Sequence, residues 1–168
     1  YFLALAERSE PEIQGADQAA WLDRLELEHD NLRAALHWAI TSEATEVGLR
    51  LAAALGEFWW PLGHVSEGRR WLAAALACGG ADYPAARAKA LYRAGELAYA
   101  QGDYQTAVVS LEESLQLYQT LGDKWGMACV LRGLSNTLSY RGDAQLAEPL
   151  RSQSLALFRE IGDAWGIA

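Results

Sequence analysis

The chain has 168 residues, 51% of them hydrophobic and 21% charged, with only 4 Pro and 15 Gly, a balance that describes a folded domain and excludes disorder or collagen-like order. Its 14 basic and 22 acidic side chains leave a net charge of -8. Such a surface repels phosphate backbones, which argues against direct nucleic-acid binding by this segment.

Residues 1–8 read as the end of a helix and residues 9–16, with Pro11 and Gly15, as a loop. Asp17 then caps a helical segment that carries Trp21, Leu22 and Leu25 on one face and continues with Leu32, Ala35, Leu36, Ala39 and Ile40. Asp30 and Asn31 offer a cap at which this segment divides into two shorter helices. Residues 1–16 are therefore assigned to the end of a preceding module and 17–48 to an N-terminal helical linker or cap. From residue 49 the chain reads as repeats, at about 49–83, 88–122 and 128–162, with a further one starting at 163.

The repeat is visible by self-comparison. Displacing the chain by 40 aligns residues 91–128 with 131–168, and 13 of the 38 pairs are identical, against roughly two or three by chance in so biased a composition. Each unit is an apolar helix pattern, Gly-Asp, a second helix pattern and another Gly-Asp. Gly102, Gly122, Gly142 and Gly162 supply the left-handed residue that ends a helix, and the Asp that follows each can accept hydrogen bonds from the next helix's first amides. The spacing predicts helices over 85–101, 104–121, 124–141 and 144–161. Leu91, Ala94, Gly95 and Ala98 share one face, as do Ala107, Leu111, Leu115 and Tyr118, and the small Gly95 and Ala107 permit close helix approach. Pro149 lies six residues past its cap, where it predicts a kink or a late helix start. A more degenerate unit stands 39 residues earlier in Leu55, Gly56, Trp59, Gly68, Leu72 and Ala75. One helix pair cannot enclose a core, but stacked pairs can.

The spacing Leu91, Ala94-Gly95, Ala98, Ala107, Leu111, Ser114 resembles the tetratricopeptide repeat (TPR) signature. The next unit follows it with Leu131, Leu134-Ser135, Leu138, Ala147 and Ser154, apart from Arg151 where an aromatic or aliphatic residue is usual. The resemblance implies an all-α fold, a right-handed TPR-like α-solenoid of antiparallel helix pairs with about 40 residues per repeat. The string from Trp21 to Ala39 resembles a stretch of bacterial STAND signalling ATPases and MalT-like transcriptional regulators. Phe58-Trp59-Trp60 and Gly68-Arg69-Arg70-Trp71-Leu72 resemble that family's first repeat. There the stretch follows nucleotide-binding and winged-helix modules and leads into a TPR array that senses effectors or docks proteins. The resemblance implies a cytoplasmic piece of a longer bacterial signal-transduction and transcription regulator. No GxxxxGK[ST] loop occurs, so no ATPase site is carried onto the chain.

The residues themselves offer no catalytic constellation. His29, His37 and His64 have no nucleophile or carboxylate pair in a recognisable arrangement, no Ser lies in GxSxG, and the chain is not expected to be an enzyme. Cys78 and Cys129 read as small packing residues. With no CxxC pair and no His at zinc spacing, neither a metal nor any other cofactor is expected. Glu26, Glu28 and Asp30 read as a solvated helix face, Trp59 and Trp71 as core, and Trp125 and Trp165 as packing between successive repeats. Arg, Glu or Asp interrupts every apolar run short of the roughly 20 residues of a membrane span.

In TPR folds the first helix of each unit lines the concave wall. Ala53, Glu57 and Trp60, then Tyr92, Glu96 and Tyr99, then Arg132, Asn136 and Ser139 fall at equivalent places there, off the apolar packing face, with Arg50, Lys89 and Tyr140 along the border. This strip of carboxylates, aromatics and cations suits a peptide, a protein loop or a small effector. Its acidic pair Glu57 and Glu96 points to a cationic or mixed ligand. A structural scaffold that self-associates through its repeat surfaces is the alternative.

Overall fold

The computed structural model describes residues 1–163 and residue 166. Among them are ten helices and no strand: α1 (Phe2–Ile13), α2 (Gln18–Leu27), α3 (His29–Thr41), α4 (Thr45–Ala54), α5 (Gly56–Trp59), α6 (Val65–Ala77), α7 (Pro84–Ala100), α8 (Tyr104–Leu121), α9 (Lys124–Arg141) and α10 (Ala144–Ile161). None of them is long and apolar enough to cross a membrane.

The helices stack as pairs, α1 with α2–α3, α4–α5 with α6, α7 with α8 and α9 with α10, forming an α-solenoid of TPR-like repeats. The first helices of successive pairs lie side by side, α1 on α4, α4 on α7 and α7 on α9, and make one continuous inner wall. The helix ends follow the Gly-Asp punctuation. Gly102, Gly122, Gly142 and Gly162 all have positive φ, between 69° and 99°. The carboxylates of Asp103, Asp123 and Asp163 accept from the backbone N–H of Thr106 at 3.2 Å, Gly126 at 2.9 Å and Gly166 at 3.1 Å. Asp143 makes no such cap; its carboxylate accepts from Arg141 Nε.

Two buried clusters form the core. One gathers Leu5, Ile13, Leu25, Leu36, Leu51, Phe58, Trp59 and Leu97 from the N-terminal half; the other gathers Tyr92, Leu111, Tyr118, Val130, Leu134 and Phe158 from the C-terminal half. Helix α7 contributes to both, so it joins the two halves. Close packing in the third pair depends on Gly95, where an added Cβ would stand 2.6 Å from Leu111 Cγ. A hydrogen bond recurs with the repeat: Ser114 Oγ donates to the Ala88 carbonyl at 2.7 Å, and Ser154 Oγ to the Ala128 carbonyl at 2.8 Å, both buried.

Four local expectations are corrected. Helix α1 does not end before residue 9 but runs through Pro11 to Ile13, because Leu5, Ala6, Ser9 and Ile13 continue one buried face and the bond that Pro11 cannot make falls in the last turn. The divide between α2 and α3 lies at Glu28, two residues before the expected cap, and buries His29 at the start of α3. Helix α10 starts at Ala144 and continues through Pro149, whose ring is exposed, so there is no late start. Cys78 is exposed rather than packed, whereas Cys129 is buried. Trp59 is fully buried and Trp71 partly so.

Candidate functional site

The inner wall is organised around Arg93, which is 8% exposed and was absent from the predicted strip. Gly56 makes room for it, since a Cβ there would lie 2.7 Å from Arg93 Cδ. The guanidinium reaches Glu57 Oε1 at 2.7 Å, Glu96 Oε2 at 2.6 Å and, more loosely, Glu10 Oε1 at 3.8 Å. Burial opposes its charge, but the carboxylates of Glu96 and Glu57 outweigh that and hold Arg93 protonated above its ordinary range. Glu96 also accepts from the Tyr92 hydroxyl at 2.7 Å, and Gln14 Nε2 donates to Glu57 at 2.9 Å. The acidic pair is therefore partnered from within, one guanidinium to two carboxylates, which weakens the case for a cationic ligand. Arg93 stands three residues before Glu96, a helical ion-pair spacing that could have revealed it.

The predicted strip residues divide into three groups. Ala53 and Tyr92 are buried and form part of the wall rather than its open surface. Arg50 and Lys89 are already partnered: Arg50 bridges Glu7 at 2.8 Å and Glu46 at 3.2 Å, and Lys89 Nζ donates to Glu10 at 2.6 Å. Both line a hollow of about 440 Å³ between α1, α4 and α7, and Lys89 also lines one of about 240 Å³ that shares Gln14, Arg93 and Trp125 with the groove, so Lys89 borders the groove but neither side chain is a free cationic edge.

The rest converge. Glu57, Trp60, Arg93, Glu96 and Arg132 line a cavity of about 180 Å³, together with Gln14, just after α1, and Trp125 of α9. A smaller adjoining depression of about 50 Å³ is lined by Trp60, Glu96, Tyr99 and Asn136. The guanidinium of Arg132 lies 5.4 Å from the centroid of Phe158, and Ser139 accepts from Arg151 at 3.5 Å. Trp125 does not serve as buried packing. It is 47% exposed, and its indole N–H donates to Asp163 at 2.9 Å across the repeat boundary. Its repeat counterpart, Trp165, lies outside the described residues.

At one edge of the groove the aromatics form a connected ladder. Tyr99 stands 6.3 Å from Trp60, 6.0 Å from Tyr104 and 5.5 Å from Tyr140, the last edge-to-face, and Tyr104 stands 6.4 Å from Tyr140. Trp60 is 44% and Tyr140 68% exposed. Burial first, then the neighbouring Tyr140 and Tyr104 hydroxyls, push the Tyr99 phenol above its usual pKa of 10, so it stays neutral at physiological pH. Tyr104 begins α8 directly after a cap, and no periodicity on the first helices could have indicated it. Of the histidines, His37 is exposed, but His29 and His64 meet with ring centroids 4.5 Å apart, between the carboxylates of Glu26 and Glu67. The other two acids of the predicted solvated face stay at the surface, Glu28 accepting from Asn31 at 2.7 Å and Asp30 pairing with Arg33 at 2.8 Å.

Stacked helix pairs along one continuous inner wall define a fold of the helical-repeat class. Residues 86–160 match the family model described as tetratricopeptide repeat, which supports a TPR region over that part of the chain. Such regions generally mediate protein–protein contacts and are typically non-catalytic scaffolds. No curated protein matches the chain.

Proposed function

We propose that the inner wall is a docking groove for an extended segment of a partner protein, with the aromatic ladder of Trp60, Tyr99, Tyr104 and Tyr140 as its principal contact surface. The ladder carries this reading. Aromatic faces left open to solvent bind flat apolar or cationic side chains at low entropic cost, and they rank high among residues that dominate interface energies. Glu96, Asn136 and Arg132 beside the ladder supply the hydrogen-bonding groups that fix the register of a bound chain. A small effector with an aromatic ring would use the same contacts.

The likeness of residues 21–39 to STAND-type and MalT-like regulators supports placing this groove in a bacterial signalling protein, as its effector-sensing or protein-docking arm. Binding would then act by population shift, the partner favouring one arrangement of the array over another. The test uses a random peptide library selected on the immobilised chain, with selected peptides titrated calorimetrically. Trp60→Ala and Tyr99→Ala are expected to weaken binding at least about tenfold each, the scale of about 1.4 kcal/mol for one lost aromatic contact. Wild-type affinity in both variants would refute the groove. Light scattering that shows stable self-assembly of a chain that selects no peptide would instead favour the scaffold reading.

A further inference from the structure

We propose that Glu26, His29 and His64 form a binding site for a divalent transition metal ion of the zinc class. Glu26, in the last turn of α2, and His29, the first residue of α3, flank the helix break at Glu28. His64 precedes α6 and is brought against them by the turn that follows α5. One potential ligand atom from each residue lies within 4.8 Å of the other two. Glu26 Oε2 lies 3.1 Å from His64 Nε2 and 3.5 Å from His29 Nδ1.

The two separations from the Glu26 oxygen are compatible with ligands of one metal ion. Zinc–nitrogen and zinc–oxygen bonds of about 2.0–2.1 Å in a tetrahedron place neighbouring ligand atoms roughly 3.3 Å apart, midway between the two observed values. A hydrogen bond accounts for the contact to His64, whereas the 3.5 Å contact to His29 is too long for one. A single carboxylate oxygen thus faces two imidazole nitrogens whose rings are held close together.

The surroundings supply what a metal-bound histidine needs on its far side. His29 is 6% exposed, and its Nε2 has no hydrogen-bond partner of good geometry, yet Glu67 Oε1 stands 3.5 Å from it. Glu67 is itself fixed by Arg33, which donates to both carboxylate oxygens at 2.7 and 2.6 Å, and by the Trp71 indole N–H at 3.1 Å. With the proton of His29 on Nε2, the nitrogen nearer Glu67, Nδ1 carries the lone pair on the side of Glu26. A carboxylate behind a ligating imidazole is the usual means of fixing its tautomer and raising its basicity. Phe58 packs edge-on to the His29 ring at 5.0 Å and limits its rotation.

Two imidazoles and one carboxylate suit zinc, cobalt, nickel or copper and do not suit calcium or magnesium, which take oxygen ligands. Arg33 cancels Glu67, and the remaining charge of Glu26 favours a cation. Glu26 and His64 are partly exposed, so an ion can enter from solvent, and a water or a partner's side chain can complete the tetrahedron. A bound ion would tie the first helix pair to the second through α2, α3 and α6. The site escapes sequence inspection because His64 lies 35 residues from His29, outside any ligand-spacing motif.

The experiment is calorimetric titration of the chelator-treated chain with zinc chloride, repeated with cobalt chloride to read the coordination number from visible absorption. The expected result is one equivalent bound with a micromolar or tighter Kd and tetrahedral cobalt bands. Glu26→Gln and His64→Ala, both at partly exposed positions, are expected to lose at least about tenfold in affinity with an unchanged far-ultraviolet circular dichroism spectrum, while His37→Ala and Cys78→Ser bind as wild type. Absence of zinc uptake by the wild-type chain would overturn the proposal. So would wild-type affinity in His64→Ala, or loss of binding in the His37→Ala or Cys78→Ser control.

Discussion

Substituting Arg93 with Met removes the cation that bridges Glu57 and Glu96 on the inner wall while keeping most of the side chain's volume. Removing one partner of a buried ion pair costs about 3–5 kcal/mol, because the other charge is left without compensation. Here the abandoned carboxylates are 24% and 23% exposed, so water takes up part of the loss, and a cost of about 2–3 kcal/mol is expected. In urea, with a slope of about 2 kcal/mol/M for a chain of this size, the unfolding midpoint should fall by about 1–1.5 M at pH 7. Adding Glu57→Gln and Glu96→Gln to the Arg93→Met background removes the stranded charges and should recover about half of that shift. A midpoint that moves by less than about 0.2 M in the single variant would refute the assignment of Arg93 as the charge centre of the groove, as would a triple variant no more stable than the single one.

Three further outcomes follow from the packing. Pro149→Ala restores a helix donor at an exposed position inside α10 and should raise stability by about 1–3 kcal/mol, read as a higher urea midpoint; a lower midpoint would contradict the description of α10 as one continuous helix. Ser114→Ala and Ser154→Ala should each cost about 1 kcal/mol by the same assay, since each removes one buried bond to a carbonyl at the same place in its repeat, and a clear disparity between the two would contradict the equivalence of those places. Burial pushes the Cys129 thiol up to about 12, so at pH 8 it stays protonated. A thiol-reactive chromogen should therefore label the exposed Cys78 at once and Cys129 only after denaturant is added, and rapid labelling of both would contradict the packing around α9.

The repeating part of the fold is legible because its signals are local. Gly122 and Asp123, or Gly102 and Asp103, state where one helix stops and the next begins within two residues, and α8, α9 and α10 start and end where that punctuation places them. The N-terminal third lacks such marks. Pro11 and Gly15 suggest a loop, but burial of Ser9 and Ile13 overrides Pro11 and extends α1. That extension carries Glu10 and Gln14 onto the inner wall, where they meet Lys89 and Glu57, contacts that span 79 and 43 residues and leave no trace in any short pattern. For the groove, helical periodicity gathers Glu57, Trp60, Glu96, Tyr99 and Asn136 on one wall. It cannot show that Arg50 and Lys89 are occupied by α1 carboxylates, or that Arg93 turns inward against Gly56. The meeting of His29 with His64 depends likewise on how the turn after α5 packs against the α2–α3 break, which is a tertiary fact.

The inner-wall claim is tested most directly by an amide chemical-shift map of the isotopically labelled chain titrated with a library-selected peptide. The largest shifts are expected at Trp60, Glu96, Tyr99, Tyr104, Asn136 and Tyr140, along the aromatic edge of the groove. Shifts concentrated on the outward faces of α8 and α10, with those six residues unmoved, would contradict it.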